Sequence, residues 1–317
     1  MSYYFYLQVP ANTPVLSVGD FAQLLPDFRL AALDPETTDA DEPEEYLSPL
    51  LNLTVVTYVR PEFSVFGLRV TFDDKRNAYE LAIHSPCALQ DWTLLKEAVR
   101  ALALRYSSGI CVVNTIEGER TMSLEELEAF DPTDDILLGI KRVEDALHER
   151  GPMQVLMASR RPIFIDQEIV DKIKASDSPA QAFSDFAYQT QYPKAALTPM
   201  HLVQDQDGTP TGLYIIRADV PAVLPITPYQ LKEDKEEPTV KRWTVLYVAE
   251  EVEGDEASLK PVDEIELEFL NEVLSKIFIP LDANSHILPG IPRETMEEIF
   301  TVLREGQEDS DKDEEKA

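Results

Sequence analysis

Three residues in one short stretch, His84, Cys87 and Asp91, have the types and spacing that could do chemistry. Cys87 stands where a helix is expected to begin, and the helix dipole there draws a thiol toward thiolate, the nucleophilic form. A nucleophile also needs a general base within hydrogen-bond reach, and the imidazole of His84 lies just upstream. The same residues fit plainer parts. Cys87 is then a small residue at a cap, Asp91 a first-turn acid that complements the dipole, and His84 a surface histidine on the polar phase of a strand, opposite Leu81 and Ile83. His84 and Cys87 are close enough to share a metal ion, but a structural zinc site takes four ligands and no second pair has a suitable spacing. No metal and no cofactor is expected.

Other constellations fall short in similar ways. Asp205, Asp207 and Gly208 imitate the start of a calcium loop, but its twelfth position is Ile216, so a hairpin turn accounts for them better. Asp131, Asp134 and Asp135 form a carboxylate cluster that helix-start acids explain equally well. Arg160 and Arg161 could hold an anion, or pair with the carboxylates of the chain itself. With only 11 glycines, there is no G-x-G-x-x-G or G-x-x-x-x-G-K loop, and neither G-x-S-x-G nor H-E-x-x-H occurs. These absences weigh against common nucleotide-dependent enzymes and hydrolases. They leave open an enzyme whose site is assembled from distant residues.

The elements that must position His84, Cys87 and Asp91 run from Tyr79 to Asn114 as strand, helix, strand. Trp92, Leu95, Val99, Leu102 and Tyr106 recur at spacings of 3 and 4, one apolar stripe along a helix. Leu68, Val70 and Phe72 alternate before the turn DDKRNA, and Tyr79, Leu81 and Ile83 alternate after it, the pattern of a hairpin. A sheet face with a helix to cover it is the minimum two-layer α+β core.

Along the rest of the chain, Ser17 caps a short helix, and Ser123 with Glu126 forms a capping box. Asp131-Pro132, Asp166 and Ser178-Pro179 mark further helix starts. IEGER is read as a turn, residues 51–60 as a strand, 200–220 as a hairpin and 242–251 as a strand. Asp263 and Glu266 are read as opening a helix, and IPLDANSHILPGIP as a proline-rich loop leading to a last helix at 293–304. Strands and helices do not alternate regularly, which argues against a doubly wound sheet. The expected fold is α+β, with mixed or antiparallel sheets and helices packed on them. Gly151-Pro152 divides it into a first domain, 1–151, and a second, 152–304, followed by a disordered acidic tail, 305–317.

The chain of 317 residues carries 28 Lys and Arg against 59 Asp and Glu, a net charge of −31. Such a surface repels nucleic acid phosphates and anionic lipid, so neither is an expected partner. The charge serves solubility, or it matches a basic protein. Cys87 and Cys111 make no disulfide framework. No signal-like N-terminus and no run of about 18 apolar residues is present, so a cytoplasmic location is expected.

The step YELAIHSPCALQDW, with its preceding hairpin and the Asp91-Trp92 pair, resembles an uncharacterised bacterial family known only as a domain of unknown function. The resemblance extends over most of the chain and brings no substrate, cofactor or catalytic residue. The expected function is therefore non-enzymatic binding, in the manner of a protein that neutralises a basic partner. A cryptic enzyme and a self-associating homo-oligomer are the alternatives.

Overall fold

The computed structural model describes residues 2–31, 49–50, 55–108, 110–115, 118–204, 208–229, 239–250 and 258–301. The first residues of the strand expected at 51–60, the Asp205–Asp207 turn and the 305–317 tail therefore lie outside the described residues. The chain divides into two compact units, Met1–Tyr192 and Pro193–Ala317.

The first unit is built on β1 (Ser2–Gln8), α1 (Val18–Ala22), β2 (Arg29–Leu30), β3 (Val56–Val59), β4 (Leu68–Asp73), β5 (Ala78–His84), α2 (Leu89–Tyr106), β6 (Ile110–Thr115) and β7 (Gly118–Ser123). These strands form one sheet in the order β2-β3-β4-β5-β1-β6-β7, each neighbour antiparallel. The alternation expected for the hairpin holds: Leu68, Val70 and Phe72 are buried, while Arg69, Thr71 and Asp73 between them are half-exposed. The α2 stripe meets this inner face. Trp92 stands edge-on to Phe5 with ring centroids 5.9 Å apart and tilted against Tyr3 at 5.5 Å. Of the stretch IEGER, 116–120, expected to turn, residues 118–120 instead open the edge strand β7, paired with β6.

The chain continues through α3 (Leu124–Ala129), α4 (Thr133–Arg150), β8 (Met153–Leu156), β9 (Ile163–Asp166), α5 (Gln167–Lys174) and α6 (Pro179–Gln191). Ser17, Ser123 and Asp166 cap their helices as the sequence predicts. The division falls at Tyr192 and not at the expected Gly151. The reason is packing: Ile136 and Ile140 of α4, Ile163 and Ile165 of β9, Val170 of α5 and Phe183 of α6 all join the same buried cluster as Phe5 and Trp92.

Gly139 lets α4 approach the β5–α2 step closely. A Cβ there would lie 2.7 Å from the Cα of Pro86 and 2.9 Å from the Oγ of Ser85. Alanine favours a helix over glycine by about 1 kcal/mol, whereas overpacking costs roughly 1–3 kcal/mol. The clash is with backbone, which yields little, so Gly139→Ala is expected to lose about 2 kcal/mol net in urea unfolding of the whole chain.

The second unit comprises β10 (Ala196–Leu197), β11 (His201–Gln204), β12 (Pro210–Arg217), β13 (Ala222–Pro225), β14 (Arg242–Glu250), β15 (Leu259–Glu266), α7 (Leu267–Val273), β16 (Ile279–Asp282) and β17 (Ser285–Leu288), followed by helix at 293–301. Two mixed four-stranded sheets, β11-β12-β14-β15 and β10-β13-β17-β16, share a core that includes Tyr214, Leu224, Tyr247, Leu270, Met296 and Phe300. The fold is α+β with mixed and antiparallel sheets. Two local readings are corrected. Asp263 and Glu266 belong to strand β15, and the helix starts only at Leu267. The proline-rich stretch contains the strands β16 and β17; Pro280 is tolerated because β16 is an edge strand.

Candidate functional site

The β5–α2 step turns its three candidate residues in different directions. His84 ends β5 on the outer face of the sheet, where its Nε2 lies 3.3 Å from an Arg69 guanidinium nitrogen. Burial and the neighbouring Arg69 charge lower its pKa. Cys87 turns inward and is 2% exposed, within the core cluster. Burial first, then the carboxylates of Asp91 and Asp135, raise its thiol pKa well above the usual cysteine value. Desolvation therefore outweighs the helix dipole, and Cys87 is held as a thiol. The imidazole and the thiol are not brought together.

Asp91 is fully buried at the third position of α2. Its Oδ1 accepts backbone N–H bonds from Val65 at 3.1 Å, Phe66 at 3.2 Å and Gly67 at 2.9 Å. Its Oδ2 accepts from Ala88 at 3.3 Å, one half of a capping box. The next helix N–H, of Leu89, donates to Ser184 Oγ of α6 at 3.0 Å. Burial pushes the Asp91 pKa up to about 6, against the opposing pull of the N–H bonds from Gly67, Phe66, Val65 and Ala88. The carboxylate thus ties the loop before β4 to the start of α2, and its lone pairs are engaged by main chain. The loop is further held by Tyr188, whose hydroxyl donates to the Glu62 carbonyl at 3.0 Å, and by Tyr192, which donates to that of Ser64 at 2.8 Å.

Asp135, noted only as a helix-start acid, accepts a short hydrogen bond from the Tyr3 hydroxyl, and burial with that carboxylate raises the Tyr3 pKa. Asp131 accepts from the Thr133 N–H at 3.0 Å in a local turn, and the N-cap of α4 is Pro132, one residue later than the Asp131-Pro132 signal predicts. Arg160 is spent on Gln191: its N–H bonds the side-chain oxygen at 2.9 Å and its guanidinium the main-chain carbonyl at 3.0 Å. Among the described residues, no group of three or more His, Cys, Asp and Glu comes together to hold a metal ion, and no helix is long and apolar enough to cross a membrane.

A surface of another kind lies on β8. Met153 and Val155 of β8, and Met157 one residue past its end, sit at alternate positions and are 39%, 45% and 62% exposed, while Leu156 packs on the core. β8 pairs only with β9, so among the described residues its outer edge is unpaired. Val155 stands opposite the buried Phe164 of β9. Large apolar side chains along an open strand edge mark a place where another chain can add. The alternation Met-x-Val-x-Met is visible in the sequence; that it faces outward is not.

In the second unit, His286 is 5% exposed, stacked on Phe278 with ring centroids 3.6 Å apart, and its Nε2 has no hydrogen-bond partner. Burial lowers its pKa to about 4 from the ordinary 6.5. A histidine held neutral in the fold but protonated when unfolded gives stability that is complete above about pH 6.5 and is lost as pH falls toward 4. The shift corresponds to a loss on the order of 3 kcal/mol. That loss between pH 7 and 4 is expected in urea unfolding followed through Trp243 in a Trp92→Phe background, and His286→Phe should remove it.

The family described as a domain of unknown function (DUF4299) matches residues 2–299. The chain belongs to this family, whose span takes in both compact units. No curated protein and no solved structure matches the chain.

Proposed function

We propose that this is a bacterial cytoplasmic protein that works by binding another protein, with the edge strand β8 as the seat and a basic protein as the partner. The observation that carries the reading is the exposed row of Met153 and Val155 on β8 and Met157 just past its end, along a strand whose edge has no partner among the described residues. An extended segment of the partner would pair with the β8 main chain and lay alternate apolar side chains against that row, with flexible methionines adapting to its shape. The buried thiol of Cys87 and the main-chain engagement of Asp91 support binding over catalysis, because they occupy the sequence's strongest reactive candidates in structural work.

Charge supports a basic partner. The whole chain is −31, and the residues outside the described segments hold 25 acids and 5 bases, or −20, which leaves −11 on the described residues. Both contributions attract a cation and speed encounter, with an effect that salt screens. The free, buried Cys87 supports a reducing compartment.

Capture from a bacterial lysate at low and high salt tests this. A basic protein retained at low salt and weakened at high salt is the expected result. Recovery of no salt-sensitive basic protein would contradict it. Pairing of β8 with β8 of a second copy, visible as a dimer in light scattering, is the competing outcome, and the −31 charge on each copy opposes it.

A further inference from the structure

The chain has six methionines, and the fold sorts them by exposure. Met122 is buried in the core of the first unit and Met296 in that of the second, where Met200 also packs half-buried. Among the described residues, Met153 and Met157 are the methionines more than a third exposed. They stand at the two ends of the β8 row with Val155 between them, Met153 on the strand and Met157 just past its end. Leu156 turns the other way, onto the core.

A thioether has no proton to lose, so access to the sulfur governs its reaction with peroxide. A cysteine reacts as thiolate, and Cys87 is both buried and held protonated, which makes it the poorer target. The reaction at methionine is an oxygen transfer. A sulfur lone pair attacks one oxygen of hydrogen peroxide, an S–O bond forms as the O–O bond breaks, and the second oxygen leaves as water. Sulfur is oxidised by two electrons and the peroxide reduced by two. Two thiols of a methionine sulfoxide reductase can return those electrons, becoming a disulfide and releasing the oxygen as water. Until then the side chain carries a polar S=O group.

We infer that Met153 and Met157 are a reversible site of oxidation by peroxide, and that sulfoxide at these two positions turns the β8 surface off. The second clause rests on β8 as the binding seat. A partner whose apolar side chains cover the row would desolvate two S=O groups without a donor to satisfy them, a cost that thioethers do not impose.

The first measurement needs no partner. The whole chain is treated with dilute hydrogen peroxide, and sulfoxide is read residue by residue by peptide mass mapping. Met153 and Met157 should oxidise at least about fivefold faster than Met122 and Met296, whose side chains are covered. The second measurement titrates the captured basic protein against treated and untreated chain. Treatment should weaken binding at least about tenfold while the unfolding midpoint holds, and a methionine sulfoxide reductase should restore it. The chain carrying Met153→Leu and Met157→Leu, compared with itself before treatment, should lose nothing. Met122 or Met296 oxidised as fast as the pair, or a leucine chain that loses as much binding on treatment as the parent, would overturn the inference. If serine at 153, 155 and 157 leaves partner binding intact, the β8 reading falls and the switch with it, while the order of oxidation is decided by mass alone.

Discussion

Asp91→Ala is expected to lower the unfolding free energy of the first unit by about 4 kcal/mol, the largest stability loss from a single residue foreseen here. The N–H groups of Val65, Phe66, Gly67 and Ala88 would lose their acceptor together. An unsatisfied buried donor costs about 1–3 kcal/mol, and relaxation of the loop recovers part of the sum. Asp91→Asn should cost about half as much. Its amide oxygen can stay with the three donors of residues 65–67, leaving its NH2 to face the Ala88 N–H. Urea unfolding followed through Trp92 in a Trp243→Phe background measures both.

The pH dependence of the same residue has a definite sign. A carboxyl whose pKa is raised to about 6 in the fold, from 3.8, contributes stability that is present below 3.8 and lost as pH rises through 6. Removing the carboxyl in Asp91→Asn should therefore flatten the stability profile of the first unit between pH 4 and 6, in the direction opposite to the His286 effect in the second. Equal stability of Asp91→Ala and the parent chain would show that the loop does not depend on this carboxylate.

Replacing Met153, Val155 and Met157 together by serine is expected to weaken partner binding by about 4 kcal/mol, roughly a thousandfold in Kd. Each side chain is an anchor worth about 1–2 kcal/mol when buried against a partner. Because all three are more than a third exposed in the free chain, their loss should leave the unfolding midpoint almost unchanged, within about 0.5 kcal/mol. Binding lost with stability kept separates an interface from a core. Titration of the captured partner against both chains reads the first quantity, and thermal unfolding reads the second.

The fold was legible where local signals agree with tertiary demand. The α2 stripe of Trp92, Leu95, Val99 and Leu102 is buried as its spacing predicts, and the Ser17 and Ser123 boxes close as written. Misreadings arose where one signal served two structures. Asp263 and Glu266 look like helix-start acids, yet β15 accommodates both, Glu266 exposed and Asp263 half-exposed on the opposite face. Pro280 looks like a loop marker, but an edge strand needs no N–H there. Gly151 does end a helix, with φ of 132°, yet a helix end is not a domain end when β9, α5 and α6 return to the same core.

The candidate site was legible only in composition. Nothing near Asp91 in the sequence announces acceptance of main-chain bonds from residues 24 to 26 positions upstream. His84 and Cys87 are three apart in the chain, but one faces the outside of the sheet and the other the core. The Met153–Met157 alternation predicts a strand and cannot say which side meets solvent.

Hydrogen–deuterium exchange of the free chain and of the chain with its captured partner bears most directly on the central claim, that β8 is where this protein acts. Slower exchange at amides 153–157 in the complex, with the Cys87–Asp91 step unchanged, is the result predicted. Exchange at 153–157 that is the same with and without partner, while protection appears around Cys87, would contradict it.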